Sequence, residues 1–153
     1  MVKNDINIKV YTPKDRKFDD ICSYLEKNIC NENLSENGGT LNYSNLTYGS
    51  DLLIVAFDKS KPVGYNSIVL IEDGVYIYQI ALKNEYKHKG IGTSMMQVAI
   101  DFANNIDQNV FAHVRDYNTA SQKMMEGLGF KKISDNKGNY LYLLDQKKIN
   151  KSH

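Results

Sequence analysis

The chain has 153 residues, of which 42% are hydrophobic and 24% are charged, and its formal net charge is +1 at pH 7. This length suits a core of useful size, so we expect a single domain over residues 1–153. The near-zero charge indicates no nucleic-acid or membrane partner, and no apolar window is long enough to span a bilayer. The N-terminal residues lack the pattern of a signal peptide, so we expect a cytoplasmic protein.

The cysteines agree with that location. Cys22 and Cys30 both fall in one predicted helix. A helix separates these two positions by about 12 Å, which is too far for a disulfide bond. We therefore expect reduced thiols, as in a cytoplasmic protein.

The first part of the chain predicts a strand followed by a helix. Apolar and polar residues alternate over 6–11, as in a half-buried strand. Thr12, with Pro13 after it, has the marks of a helix start. The helix should run to Cys30, because apolar residues recur at helical spacing. These are Phe18, Ile21, Cys22, Leu25 and Ile29.

The segment 31–50 is dense in Asn, Ser, Gly and Glu. It predicts a loop, with one short helix from about Thr40. The segment could be a plain surface connection. Alternatively it could face a ligand, because long loops on compact domains often bind one.

A run of strands follows the loop. The apolar runs 51–57 and 63–71 predict the second and third strands. Asp73 and Gly74 stand between two apolar runs, which is a strong hairpin signal. The third and fourth strands should therefore be antiparallel neighbours, with the fourth over 75–82.

A glycine-rich turn and a helix come next. Gly90 and Gly92 lack the Cβ atoms that would keep a ligand from the backbone. The first amides of a helix have no intrahelical partner and sit at the positive end of its dipole. With Lys87 and Lys89 beside them, they predict a phosphate or pyrophosphate site. The alternative is a tight turn with solvated lysines.

Two other phosphate-binding motifs are excluded. A Walker A loop needs Lys and then Ser or Thr directly after its last glycine, whereas Gly92 is followed by Thr93 and Ser94. A dinucleotide-binding fingerprint needs Gly or Ala three positions after its second glycine. That position is Met95.

The last third of the chain predicts a strand, a helix and a hairpin. Val110, Ala112 and Val114 fit a strand parallel to the fourth one, after a right-handed crossover. Thr119 and Gln122 fit a capping box at the start of a helix, with Asn118 just before it. Its apolar face should be Ala120, Met124 and Leu128, and the segments 130–133 and 139–144 should form the final hairpin.

Two stretches resemble motifs of the GNAT superfamily of N-acetyltransferases. Residues 87–92 are similar to its motif A, Arg/Gln-x-x-Gly-x-Gly/Ala, with Lys87 in the first position, and residues 84–86 are similar to its Pro-Glu-Tyr lead-in. The family's motif B reads Asn-x-x-Ala/Ser-x-x-Leu-Tyr-x-x-x-Gly-Phe. Its matches, with every spacing kept, are Asn118, Ser121, Met124, Met125, Gly129 and Phe130.

This resemblance covers nearly the whole chain and implies a fold. It implies a mixed α/β protein of the α+β type with a GNAT-like, mostly antiparallel central sheet. About six to seven strands would be flanked by about four helices. Strands four and five would form a parallel, splayed pair. The loop 31–50 would then line the acceptor site.

The resemblance also implies a cosubstrate, acetyl-CoA, and no metal. Backbone amides of the fourth strand would hold the acetyl carbonyl and the pantetheine, the turn would bind the pyrophosphate, and motif B would contact the coenzyme. The residues so implied are Ile80, Ala81, Leu82, Lys87, His88, Lys89, Gly90, Ile91, Gly92, Thr93, Asn118 and Ser121.

The implied activity is direct transfer of an acetyl group to a primary amine of a small molecule or peptide, by a monomer or homodimer. The sequence specifies neither the acceptor amine nor whether the donor carries an acetyl or a longer acyl group. A non-catalytic acyl-CoA sensor is the alternative, because Met125 stands where the family often has a tyrosine acid.

The catalytic acid and base are unknown from the sequence. Tyr78, Tyr86, Tyr117 and Tyr142 are alternative acids. The acids nearest the fourth strand, Glu72, Asp73 and Glu85, fit surface positions better than a base, and His88 and His113 are expected to be structural.

Overall fold

The computed structural model describes residues 5–30 and 46–148. One sheet contains seven strands in the order β1-β2-β3-β4-β5-β7-β6. The strands are β1 (Ile6–Tyr11), β2 (Leu52–Asp58), β3 (Lys61–Ile71), β4 (Gly74–Leu82), β5 (Asn109–Arg115), β6 (Lys131–Asn136) and β7 (Asn139–Leu144). The α-helices are α1 (Phe18–Leu25), α2 (Leu46–Gly49), α3 (Ile91–Asn105) and α4 (Thr119–Gly127). Most of the predicted loop 31–50 lies outside the described residues.

The sheet is mostly antiparallel, with β4 and β5 as its parallel pair. This confirms the predicted fold class. The parallel ladder runs from Gly74 opposite Asn109 to Ile77 opposite Ala112. β4 itself continues to Leu82. The hairpin before β4 is tighter than expected, since Gly74 is already the first residue of the strand.

The chain divides into two compact units, residues 1–69 with 78–98, and residues 70–77 with 99–153. The first unit has an apolar core in which α1 packs on the sheet. Its members repeat every three or four residues along the helix and every two along the strands, as the two periodicities require. They are Phe18, Cys22, Leu25, Ile29, Leu46, Leu53, Val55, Phe57, Tyr65 and Ala81.

The first helix begins later than the sequence predicted. The Thr12 amide donates to the Asp15 carboxylate at 2.7 Å, and the Asp15 amide donates to the Thr12 carbonyl at 2.9 Å. These bonds close a turn, so the signals at 12–15 are those of a turn and α1 starts at Phe18. After Leu25 the chain continues as one π-helical segment, Glu26–Cys30.

The second unit is organised by β5, whose Val110, Ala112 and Val114 are buried as predicted. The residues after β7 also bond to it. The Asn109 carboxamide accepts from the backbone amides of Gln146 and Lys147, at 2.9 and 2.8 Å. The end of the described chain is thereby tied to the start of β5.

Two expectations for α4 are wrong. The cap is Asn118, whose Oδ1 accepts from the Ser121 amide at 3.2 Å. The Gln122 side chain donates to two carbonyls before the helix instead of closing a capping box. The buried residue is Met125, at 2% exposure, whereas Ala120 is exposed. Local spacing did not specify which face of α4 is buried.

We expect Gly74→Ala to destabilise the protein. A Cβ atom there would lie 2.6 Å from the Asn109 carbonyl oxygen and 2.9 Å from the Phe111 ring. Overpacking of this kind costs about 1–3 kcal/mol of unfolding free energy. The matched control is Gly127→Ala in α4, where a Cβ atom meets nothing within 4 Å. Urea unfolding should show a loss for Gly74→Ala alone; equal stabilities would contradict the close approach.

Candidate functional site

The predicted phosphate turn lies between one 3₁₀ turn, Asn84–Tyr86, and the start of α3. Two of its residues have left-handed backbone, His88 at φ 63° and Gly90 at φ 85°. Glycine adopts this conformation without strain, whereas a residue with a Cβ atom does so at a cost. The backbone therefore favours glycine at position 90.

The first turn of α3 presents amides that the helix does not use. Its first bond runs from the Ser94 amide to the Gly90 carbonyl at 3.0 Å. The amides of Ile91, Gly92 and Thr93 therefore have no partner within the helix. They lie at the positive end of the dipole, where an anion is stabilised.

Space and charge around the turn also suit a phosphate group. A Cβ atom built on Gly90 meets nothing within 4 Å. His88 and Lys89 are exposed and Lys87 is half-buried, so two ammonium groups belong to the same turn. Ile91, at 6% exposure, anchors the helix start in the core. The residues present therefore fit the pyrophosphate of a coenzyme.

A hydrogen bond fixes the approach to this turn. The Tyr86 hydroxyl donates to the Asp58 carboxylate at the end of β2, with 2.5 Å between the oxygens. That bond raises the pKa of Tyr86 to about 12. The Lys83 amide donates to the Val63 carbonyl at 2.9 Å. The segment before the turn is thus held to the β2–β3 hairpin on both sides of the 3₁₀ turn.

The predicted acetyl and pantetheine residues lie at the end of β4, in the same unit as the turn. Ala81 is buried, and Ile80 and Leu82 are half-buried. The neighbouring Gln79 carboxamide accepts from the hydroxyl of fully buried Tyr65 at 2.6 Å. The end of β4 is therefore braced from β3.

Asn66 is a buried polar residue that the sequence prediction missed. It is 0% exposed, and its Nδ2 donates to the Met95 carbonyl in α3 at 3.3 Å. Its Oδ1 is buried and has no partner among the described residues. The one signal in the sequence was an amide side chain inside the apolar run 63–71.

Asn118 and Ser121 lie at the start of α4, in the second unit. The bond from the Ser121 amide to the Asn118 side chain joins them directly. Both side chains are half-buried. The structure thus brings these two predicted residues together, and it brings the residues of the turn and of β4 together in the first unit.

The structure distinguishes the four tyrosines that the sequence left as alternative acids, because they differ in exposure and in hydrogen bonding. Tyr78 and Tyr117 are exposed, at 40% and 65%. The hydroxyl of Tyr86 is engaged by Asp58, and that of Tyr142 donates to Glu126 at 3.2 Å. Burial, and then the bond to Glu126, raises the pKa of Tyr142. A phenol that is buried and bonded to a carboxylate is a poor proton donor for a substrate.

The acids nearest β4 in the sequence are surface residues. Glu72 and Asp73 form the exposed hairpin loop, and Glu85 is exposed in the 3₁₀ turn. His113 has a contact that the sequence did not indicate, because its Nδ1 lies 2.9 Å from the Tyr76 hydroxyl.

Within residues 5–30 and 46–148, no group of three or more His, Cys, Asp or Glu side chains could hold a metal ion. No helix in this part of the chain is long and apolar enough to cross a membrane.

Residues 20–130 match the model of the acetyltransferase (GNAT) family. This match covers most of the chain, which therefore belongs to the GNAT acetyltransferase family. No curated protein matches the chain.

Solved structures of this family share the fold. A GNAT-family acetyltransferase from Staphylococcus aureus Mu50 has a TM-score of 0.75 at 16% identity, covering 93% of this chain and 99% of its own. The ribosomal-protein-S18-alanine N-acetyltransferase of Escherichia coli has a TM-score of 0.66 at 14% identity, covering 96% and 99%. The PaiA N-acetyltransferase of Thermoplasma acidophilum, in complex with coenzyme A, has a TM-score of 0.62 at 16% identity, covering 92% and 98%.

We expect Gly90→Val and Gly92→Val each to weaken CoA binding at least about 100-fold. Valine at position 90 strains a backbone at φ 85°, and at position 92 it places a branched side chain among the unpaired amides. Isothermal titration with CoA measures the loss, and circular dichroism checks the fold. The control is Gly127→Val, which makes the same change outside the turn. Normal affinity in folded Gly92→Val would show that the turn has only a structural role.

We expect Tyr86→Phe to lower stability in a pH-dependent way. The pKa of Tyr86 is about 12 in the folded protein against 10.0 for the unperturbed group. Its bond therefore stabilises the fold fully below pH 10, and the contribution is lost as the pH rises from 10 towards 12. Urea unfolding should show a gap between parent and variant that narrows over this range. In an Asp58→Asn background, the difference in unfolding free energy between Tyr86 and Tyr86→Phe should be smaller at every pH. A difference that depends neither on pH nor on Asp58 would contradict the assignment of this hydrogen bond.

Proposed function

We propose that the protein is an acetyl-CoA-dependent N-acetyltransferase that moves the acetyl group directly to a primary amine. The observation that carries the proposal is the set of unpaired amides at the start of α3, beside an open Gly90 and two lysines. Membership of the GNAT family supports it.

In this proposal the coenzyme is bound by two groups of residues. The pyrophosphate lies against Lys87, His88, Lys89, Gly90, Ile91, Gly92 and Thr93. The pantetheine and acetyl carbonyl lie along Ile80, Ala81 and Leu82. Asn118 and Ser121 contact the coenzyme from the start of α4. The fit rests on chemistry, because unpaired amides and ammonium groups are what a pyrophosphate requires.

The reaction that these residues support is attack of a neutral amine on the thioester carbon. An N–C bond forms, the C–S bond breaks and the thiolate leaves, and the amine nitrogen gives up one proton to the solvent. A backbone amide of β4 that points at the carbonyl oxygen would stabilise the negative charge that develops there. Holding amine and thioester together supplies a further part of the rate.

The acceptor is proposed as a primary amine on a small molecule or a peptide. The E. coli neighbour is named for an alanine of ribosomal protein S18, and at 14% identity this supports the class of acceptor alone. We also propose that the protein is cytoplasmic and is a monomer or homodimer. The cytoplasmic location agrees with Cys22, which forms no disulfide bond.

The second candidate function is binding of acyl-CoA without turnover. The observation in its favour is Met125, which occupies the position of the usual tyrosine and is 2% exposed. A thioether has no proton to give to a leaving thiolate. However, a thiolate is a tolerable leaving group, since its conjugate acid has a pKa near 8.5 in solution.

We expect CoA to stabilise the folded protein. Ligand at one hundred times its dissociation constant adds about 2.7 kcal/mol to the unfolding free energy. Thermal melts with and without millimolar CoA measure this, with Gly92→Val as the control that should not respond. An unchanged melting temperature of the parent would contradict both candidate functions.

Turnover separates the two candidates. Purified protein with acetyl-CoA and a panel of primary amines should release free thiol faster than acetyl-CoA alone does. CoA binding without thiol release across the panel would favour the binding module over the enzyme.

A further inference from the structure

Three consecutive residues of β3 carry polar groups and are fully buried. Tyr65, Asn66 and Ser67 are each 0% exposed. Buried polar groups cost free energy unless they are hydrogen-bonded, and each of these side chains bonds to a different part of the chain. Successive side chains of a strand point to opposite faces of the sheet. Tyr65 and Asn66 therefore hold structures on its two faces.

Tyr65 holds the end of β4. Its hydroxyl donates to the Gln79 carboxamide oxygen at 2.6 Å. Gln79 directly precedes Ile80, the first of the residues proposed for the acetyl carbonyl and the pantetheine. The Tyr65 ring lies in the same apolar core as Ala81. One hydrogen bond and one packed ring therefore hold this part of β4 from β3.

Asn66 holds the start of α3. Its Nδ2 donates to the Met95 carbonyl at 3.3 Å and lies 3.7 Å from the sulfur of Met96. The helix begins at Ile91, and Met95 lies about one helical turn further on. The first turn of a regular helix moves together with the second. The contact at Met95 therefore also sets the position of the open amides at the N-terminus.

The side chains that bury this part of α3 are apolar. Ile91, Met95 and Met96 are 6%, 0% and 0% exposed. Apolar burial has no preferred direction, and methionine side chains adapt to several arrangements, so these contacts hold the helix without fixing its exact position. A hydrogen bond weakens steeply when its geometry changes. The amide of Asn66 therefore supplies a directional contact between α3 and the sheet.

Asn66 has a cost for the stability of the fold. Its Oδ1 is buried and has no hydrogen-bond partner within residues 5–30 and 46–148, and an unpaired buried carbonyl lowers the free energy of unfolding. Leucine has a similar branched shape and would remove that cost. A polar group that a core does not need is expected where it serves a functional site. The site that α3 serves is the proposed pyrophosphate site.

We propose that Tyr65 and Asn66 are positioning residues of the coenzyme site; this inference rests on the proposed function. Tyr65 holds the end of β4 so that a backbone amide there meets the acetyl carbonyl of the thioester. Asn66 holds α3 so that the three open amides of its first turn meet the pyrophosphate. β3 up to Val69, β4 from Tyr78 and α3 up to Val98 all belong to the first compact unit.

The first experiment measures CoA binding to Asn66→Leu. A displaced helix start weakens the charge-assisted hydrogen bonds to the pyrophosphate, so we expect the dissociation constant in isothermal titration to rise at least about 10-fold. The urea midpoint should not fall, because the unpaired carbonyl is gone. Asn66→Ala should weaken CoA binding in the same way, and it tests the role without a larger side chain in the core.

The second experiment measures turnover by Tyr65→Phe, which keeps the buried ring and removes the hydroxyl. An amide that no longer meets the carbonyl oxygen stabilises the transition state less. We expect kcat for thiol release from acetyl-CoA to fall at least about 10-fold, with the amine that the parent turns over fastest. The dissociation constant for CoA should stay unchanged.

A truncated donor separates the two roles. S-acetylpantetheine carries the thioester and the pantetheine but has no pyrophosphate. With this donor, Asn66→Leu should have the same kcat/KM as the parent, because the group that Asn66 serves is missing. Tyr65→Phe should still lower kcat/KM at least about 10-fold. A general loosening of the fold would instead lower both values.

The matched control is Ser67→Ala, in the same strand. The Ser67 hydroxyl lies 2.6 Å from the Ser50 hydroxyl, and both residues are buried. The substitution therefore removes a buried hydrogen bond and should lower the urea midpoint. It should leave CoA affinity unchanged, as well as kcat at saturating amine. Parallel losses of CoA affinity and stability in Ser67→Ala would show that binding follows overall stability, and would overturn the positioning roles.

The outcomes distinguish this inference from the proposed function. If the parent binds CoA and turns over an amine while the variants at Tyr65 and Asn66 match it, the positioning roles fail and the proposed function stands. If the parent binds no CoA, the proposed function fails and the inference fails with it. If the parent binds CoA without turnover, the role of Tyr65 fails, and the dissociation constant of Asn66→Leu still decides the role of Asn66.

Discussion

The structure depends most on the left-handed backbone at Gly90. This conformation stands directly before the start of α3, whose first three amides have no partner within the helix. The bond between Tyr86 and Asp58 holds the chain before the turn, and buried Ile91 holds the chain after it. The proposed anion site therefore depends on the same backbone geometry that joins the strand to its helix.

Much of the fold could be predicted because its signals are local. Alternation gave β1 and β5, and the hairpin signal placed β3 beside β4. The prediction failed where one local signal fits two structures. Thr12 and Asp15 suit a helix start and a closed turn equally well, and the carboxylate bond to the Thr12 amide selects the turn. For α4, helical spacing indicated a face that includes Ala120, whereas the folded chain buries Met125 and leaves Ala120 exposed.

The candidate site likewise has a part that the sequence predicted and a part that it did not. The glycine spacing and lysines of the turn are contiguous in sequence, so they were predictable. The contact between Tyr76 and His113 depends on the register of two parallel strands that a whole helix separates. The bond between Tyr86 and Asp58 depends on a neighbouring hairpin. Each of these residues was visible in the sequence, but nothing local indicated its partner.

The strand order has a consequence for how the chain is completed during synthesis. β7 follows both β5 and β6 along the chain, yet it lies between them in the sheet. Until the ribosome releases it, β5 has an open edge and β6 has no neighbour in the sheet, and such edges favour pairing with other chains. The amides of Gln146 and Lys147, which bond to Asn109, are later still. Chains that are cut short before β7 should therefore be prone to aggregation through these open edges.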